Sequence, residues 1–155
     1  MSKNVRKWGV SMFFGEYRHN LDAKGRLSIP AKLRAQCPGN VYVTIGNDGC
    51  LNVYNEEGWQ NYYAKLSKLK QNKKSARAFL RLVTSRVSEC EFDKMGRINI
   101  PALLREHAHL EKACVIVGSG DHMEIWNEEA WDQYIDANND DFDSLSEMLD
   151  EMEEE

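Results

Sequence analysis

No stretch of the 155-residue sequence approaches the ~20 consecutive apolar residues that span a bilayer, and its first dozen residues lack the apolar core of a secretory signal. A cytoplasmic protein without a membrane partner is therefore expected. Cysteine is scarce. Cys37, Cys50, Cys90 and Cys114 stand far apart with no C-x-x-C pair, which argues against a zinc ribbon or a dithiol redox motif and predicts buried thiols in a reducing compartment. Catalytic signatures are also missing. His19 and His122 are isolated, His107 and His109 are two apart, and no carboxylate pair has a catalytic spacing that sequence can establish. Gly118, Ser119 and Gly120 begin like a dinucleotide-binding loop but lack its third glycine and lie between two apolar runs that read as a hairpin. Asp136, Asn138, Asp140, Ser144 and Glu147 fall on calcium-loop positions, yet Asp141 stands where that loop needs glycine and Asp143 where it needs an apolar residue. The expectation is a protein that is not an enzyme and needs no cofactor, metal or small-molecule substrate.

Positive charge is short overall, with a formal net charge of −5, and such a balance speaks against nucleic acid at first sight. The average conceals a division. Residues 136–155 hold ten acidic residues and no Lys or Arg, which leaves 20 basic against 15 acidic residues in the rest of the chain. Two segments concentrate the basic charge: residues 1–34, with Lys3, Arg6, Lys7, Arg18, Lys24, Arg26, Lys32 and Arg34, and residues 62–88, with eight basic residues and no acid. The body is basic and the tail acidic.

The strongest feature present is an internal repeat. LDAKGRLSIPAKLR at 21–34 aligns without gaps to FDKMGRINIPALLR at 92–105, with eight of fourteen positions identical. With one residue inserted, LNVYNEEGWQNY at 51–62 then aligns to MEIWNEEAWDQY at 123–134. Each copy predicts a short strand (17–21; 88–92), a turn through Gly25 or Gly96, and a strand whose alternation points Leu27 and Ile29, or Ile98 and Ile100, inward. Pro30 and Pro101 suit the first position of a short helix ending near Arg34 or Arg105. A second hairpin follows, 41–45 with 51–54 in the first copy and 114–117 with 123–126 in the second. Asn55 and Asn127, each followed by two glutamates, then cap an amphipathic helix. A further helix near 75–84 bridges the copies. One copy is too small to close a core alone, so a pseudo-twofold pair is expected.

These residues resemble the MraZ family, bacterial transcription regulators built from two tandem AbrB/MazE-like domains. MFFGEYRHNLDAKGRLSIPAKLR, CEFDKMGRINIPALLREHA and the helical connection carry the resemblance across residues 12–134. It implies an α+β fold with a mainly β core, a duplicated swapped-hairpin AbrB-like β-barrel with flanking helices. It also implies a ring-like homo-oligomer that binds tandem repeats in double-stranded promoter DNA of the division and cell-wall gene cluster, usually as a repressor associated with the nucleoid. The expected organisation is a basic extension (1–11), a first module (12–60), connecting helices (61–87), a second module (88–135) and an acidic tail (136–155).

Arg26 and Arg97 follow the turn glycine on the strand face opposite Leu27 and Ile98, which directs them outward. An arginine can bond guanine O6 and N7 together, worth roughly 1–3 kcal/mol of discrimination, whereas a phosphate contact chiefly adds affinity. Lys24, Lys94 and Arg18 complete the expected DNA-binding set. Asp22, Gly25, Asp93 and Gly96 support it, the carboxylates by accepting turn N–H groups or holding the arginine. The copies are not equivalent: Lys24 is matched by Met95, with Lys94 displaced by one residue, so the first copy is expected to read DNA more strongly. The competing reading is an antitoxin-like interaction module whose tail, apolar at Leu145, Met148, Leu149 and Met152, docks a partner. A disordered, solubilising tail is the plainer expectation for residues 136–155.

Overall fold

Short strands enter and leave each Asp-x-x-Gly-Arg turn, and their partners lie in the opposite copy. The computed structural model describes residues 11–154. The first copy supplies β1 (Glu16–Asn20), β2 (Arg26–Ser28), α1 (Ala31–Arg34), β3 (Val41–Ile45), β4 (Leu51–Tyr54), α2 (Glu56–Ser67) and α3 (Lys74–Arg86). The second supplies β5 (Ser88–Cys90), β6 (Arg97–Asn99), α4 (Ala102–His107), β7 (Ala113–Gly118), β8 (Met123–Asn127), α5 (Glu128–Asn139) and α6 (Phe142–Glu154). Six strands form one antiparallel sheet in the order β1-β7-β8-β4-β3-β5, and β2 with β6 forms a separate ribbon. Strand β1 therefore pairs with β7 of the second copy, and β5 with β3 of the first. The halves interlock in an α+β swapped-hairpin fold, its barrel open between the edge strands β1 and β5.

The register explains why a duplicated sequence closes this way. In the ribbon Leu27 lies opposite Ile98, and these are equivalent positions of the repeat. Between β4 and β8, Asn52 lies opposite Glu124, again an equivalent pair. An antiparallel pair centred on equivalent residues is related by a local twofold axis, so one axis passes through both contacts. Leu27, Ile29, Ile98 and Ile100, the expected inward residues, are all buried around it and belong to one core with Phe13, Leu33, Val41, Leu104, Ile116 and Ile125. Ile98→Ala should therefore cost about 2–5 kcal/mol, the range for deleting a fully buried aliphatic side chain. Urea unfolding checks this; a loss under about 1 kcal/mol would mean that the axis contact is not part of the cooperative core.

Helix α2 begins at Asn55, whose side chain accepts the Gly58 N–H, and α5 at Asn127, whose side chain accepts the Ala130 N–H. Both caps stand where the sequence places them. Matching aromatic sets pin these helices to the sheet, Tyr54, Trp59 and Tyr62 in one half and Trp126, Trp131 and Tyr134 in the other. The four cysteines are free and buried, and burial alone pushes the Cys37 thiol up to about 12.

Three local expectations change. Pro30 and Pro101 precede the helices rather than open them, with ψ of 140° and 150°, because their carbonyls accept the first helical N–H groups, from Leu33 and Arg34 and from Leu104 and Arg105. The bridging helix α3 is longer than 75–84, running over Lys74–Arg86. Of the segment expected as a disordered tail, 136–139 belong to α5 and 142–154 to α6; the recurrence of Phe142, Leu145, Leu149 and Met152 at three- and four-residue intervals outweighs the acidity of the segment. Of the extension at 1–11 only Ser11 is among the described residues; it is buried, and its Oγ accepts from Asn55 Nδ2 at 2.6 Å.

Candidate nucleic-acid interface

The two turns share one hydrogen-bond scheme. Asp22 Oδ1 accepts the N–H groups of Lys24 and Arg26 at 2.9 and 2.8 Å, and its Oδ2 accepts Arg26 Nε at 2.6 Å. Asp93 does the same with Met95 N, Arg97 N and Arg97 Nε at 2.9, 2.9 and 2.8 Å. Gly25 and Gly96 close the turns by donating to the Asp22 and Asp93 carbonyls, with φ of +83° and +78°, a conformation that any side chain strains. Both carboxylates consequently sit below the ordinary aspartate range, first because of the backbone N–H of the paired arginine, then its guanidinium and the neighbouring N–H, against some desolvation. A lowered carboxyl pKa stabilises the fold above the unfolded value, about 3.9, and the contribution is lost as pH falls through the lower folded value. Carboxyl-carbon NMR titration should give midpoints under 3.9 for Asp22 and Asp93, and the turns should persist to about pH 4; midpoints at or above the ordinary value would remove the carboxylate from this role.

The ribbon sets these turns side by side. Ser28 faces Arg97 and Arg26 faces Asn99, and the backbones are cross-linked where Ile29 N donates to the Gly96 carbonyl and Ile100 N to the Gly25 carbonyl. The second-copy motif thus supports the first. Arg34 and Arg105, identical positions of the repeat not assigned a role from sequence, donate to the carbonyls of Ile29 and Ile100 and lie under the turn glycine of the opposite half, Arg34 against Gly96 and Arg105 against Gly25. Their identity in both copies was the available signal.

The turns differ in charge. Arg97 lies near two carboxylates, Asp93 at 2.8 Å and Asp22 at 3.7 Å, while Arg26 is paired only with Asp22 among the described residues. The Arg26 side chain is 32% exposed and that of Arg97 26%. With Nε held by Asp22, the terminal nitrogens of Arg26 have no hydrogen-bond partner among the described residues and form a fixed fork. Lys24 and Lys94 are exposed beside them, whereas Met95, in the place of Lys24, is an exposed apolar tip. Arg18 departs from the expected set. It is bound to Glu16, Glu128 and Asp132 at 3.1, 3.3 and 2.8 Å, which tie β1 to α5 and hold its pKa well above the ordinary arginine value. A cation compensated three times adds little attraction for phosphate.

His122 is not isolated: Nδ1 lies 2.7 Å from Asp121 and Nε2 3.5 Å from Glu124. Burial favours its neutral form, but the hydrogen bonds to Glu124 and Asp121 prevail and raise its pKa. The Gly118-Ser119-Gly120 segment is the β7–β8 turn, closed by Ser119 N to the His122 carbonyl, and the backbone of Phe13 and Phe14 packs where a Gly118 side chain would stand. Of the calcium-like positions, Asp136 and Asn138 lie on α5 and Ser144 and Glu147 on α6, with Asp140 in the two-residue turn between the helices. No helix among the described residues is long and apolar enough to cross a membrane.

Residues 12–82 and 85–152 each match the family described as "MraZ protein, putative antitoxin-like". The second match extends to 152 and so includes most of α6. Among curated relatives, the Transcriptional regulator MraZ of Ligilactobacillus salivarius is 51% identical over 138 residues, 89% of this chain and 96% of the relative. That of Lactobacillus helveticus is 49% identical over 142 residues, 92% and 99% of the two chains, and that of Lactiplantibacillus plantarum 49% over 138 residues, 89% and 98%. With both halves matched and identity near one half over almost the whole length, the chain belongs to the MraZ family, whose matched members are named as transcriptional regulators and not as enzymes.

Proposed function

We propose that this protein is a sequence-specific, DNA-binding transcriptional regulator that represses the division and cell-wall gene cluster. It binds tandem promoter repeats as a ring-like homo-oligomer in the nucleoid-associated cytoplasm. The observation that carries the reading is the pair of Asp-x-x-Gly-Arg turns joined on one ribbon, with the Arg26 fork held by Asp22 and Lys24 exposed next to it. Preordering matters because an arginine fixed by its Nε loses little side-chain freedom when its terminal nitrogens meet a base edge. Arg26 and Lys24 form the primary reading group, with Arg97 and Lys94 second and Asp22, Gly25, Asp93 and Gly96 in support. Arg18 is left to the β1–α5 junction. The modules at 12–60 and 88–135, joined by 61–87, act as one unit because the ribbon draws a strand from each.

Binding of the purified protein to DNA upstream of its own gene, against scrambled DNA of equal length, tests this reading. Retardation of the upstream DNA at concentrations that leave the scrambled DNA free is expected, with affinity falling steeply as salt rises through counterion release. Equal affinity for both would overturn it. The antitoxin-like alternative draws on the exposed apolar stripe of α6. It expects a tight protein partner and no preference for repeated sites.

A further inference from the structure

The ribbon of β2 and β6 has two faces. Leu27 and Ile98 turn inward and are buried, so the alternation of an extended strand sets Arg26, Ser28, Arg97 and Asn99 on the outer face. Arg26 lies directly opposite Asn99, and Ser28 directly opposite Arg97. Each arginine thus has a neighbour from the other copy. The two neighbours hold the same place in the repeat but differ in kind, serine in the first copy and asparagine in the second. Residues directly opposite on an antiparallel pair lie roughly 4.5–5.5 Å apart at Cβ, so Asn99 and Arg26 share one spot on the outer face.

Asn99 is exposed, whereas Ser28 is half-buried. The backbone carbonyl of Asn99 accepts from Cys90 Sγ at 3.5 Å, but its side-chain amide has no hydrogen-bond partner among the described residues. Other asparagines are engaged: Asn40 donates to Glu89, Asn52 to Tyr54, and Asn55 and Asn127 cap their helices. The Asn99 amide therefore offers an N–H and a carbonyl oxygen side by side, on a strand whose backbone is held by pairing with β2. The hollow next to it is bordered by Asn40, Ser88, Glu89, Cys90 and Glu91. Its two carboxylates repel phosphate and favour a group that brings an amine.

We infer that Asn99 is a specificity-determining residue of the DNA contact, reading an adenine next to the guanine that Arg26 meets. A two-stranded ribbon fits the major groove, where an asparagine amide pairs with adenine N7 and N6 as an arginine fork pairs with guanine N7 and O6. The amide N–H donates to N7 and the amide oxygen accepts from the N6 amine, the one base-edge amine on that purine. Successive bases on one strand rise by about 3.4 Å, so two side chains of one opposite pair reach neighbouring bases. Ser28, shorter and half-buried, gives Arg97 no such companion. The reading site of the first turn is built from both copies, Lys24 and Arg26 from one and Asn99 from the other. The inference rests on the DNA-reading function proposed above.

The experiment is a binding titration of the full chain on the box protected upstream of its own gene, with each adenine replaced in turn by 7-deazaadenine, which lacks the N7 acceptor and still pairs with thymine. The wild type should weaken about 2–12-fold at one adenine, the worth of one hydrogen bond. Asn99→Ala should weaken about 5–150-fold on the natural box, the usual range for one bidentate base contact, with no further loss at that adenine. Replacing guanines by 7-deazaguanine should place the base coupled to Arg26→Ala at the adjoining position. Circular dichroism checks folding. Asn99→Asp, of the same size, serves where Asn99→Ala unfolds, and it should lose the preference for adenine because a carboxylate has no N–H for N7. Equal affinity of the wild type for upstream and scrambled DNA would overturn the DNA-reading function and this inference with it. With that preference intact, a box without adenine would overturn the inference alone, as would Asn99→Ala binding like the wild type. So would an Asn99→Ala variant that still shows the full loss at every substituted adenine, which would make Asn99 a support of the ribbon's shape.

Discussion

Arg26→Ala should abolish discrimination between promoter and scrambled DNA while leaving the unfolding midpoint nearly unchanged. The guanidinium lies outside the core, and its Nε bond to Asp22 is half-exposed, so removing it costs little stability. What is lost is the fixed fork. At roughly 1–3 kcal/mol per bidentate base contact, one module should lose about 5–150-fold in specific affinity, and the loss compounds across modules bound together. Arg97→Ala should lose less, because its guanidinium is shared between Asp93 and Asp22 and Met95 stands in its turn where Lys24 stands in the first. Fluorescence anisotropy on one short duplex, run for both variants, checks the order. Equal losses would contradict the asymmetry, and a fall in stability with Arg26→Ala would make the Asp–Arg pair a hairpin staple.

Tandem boxes should bind far more tightly than one box. On the proposed reading a single pair of turns covers little DNA and binds modestly, whereas a second box within reach of the proposed assembly would be met at high effective concentration. Gains of about 10²–10⁴ are typical when geometry permits simultaneous engagement. Titrating duplexes with one, two and four boxes at the same salt would measure it. A flat series would show that each module binds alone, and a gain only at one spacing would report the distance between modules in the assembly.

Much of this was legible because the repeat constrains itself. Asp22, Gly25 and Arg26 recur as Asp93, Gly96 and Arg97, and turn chemistry alone predicted what the carboxylates do. The caps at Asn55 and Asn127 and the inward faces of Leu27 and Ile98 followed from local pattern. Strand exchange is a different matter. A period of two says which face of β1 is buried but nothing about whether its partner is β3 or β7, so the swap entered only through the family resemblance. The ion pairs of Arg18 were not legible because its partners Glu128 and Asp132 are more than a hundred residues away. The placement of Arg34 and Arg105 under the opposite turn was hidden for the same reason. In the tail, acidity suggested disorder while the spacing of Leu145, Leu149 and Met152 carried the helix, and periodicity was the better guide.

Footprinting the DNA upstream of the gene with the wild type and with the Lys24→Ala, Arg26→Ala double variant tests the central claim most directly. The wild type should protect short boxes recurring at a regular spacing, and the variant, folded by circular dichroism, should protect none of them. Identical protection by both proteins would contradict the assignment of these turns as the surface that reads DNA.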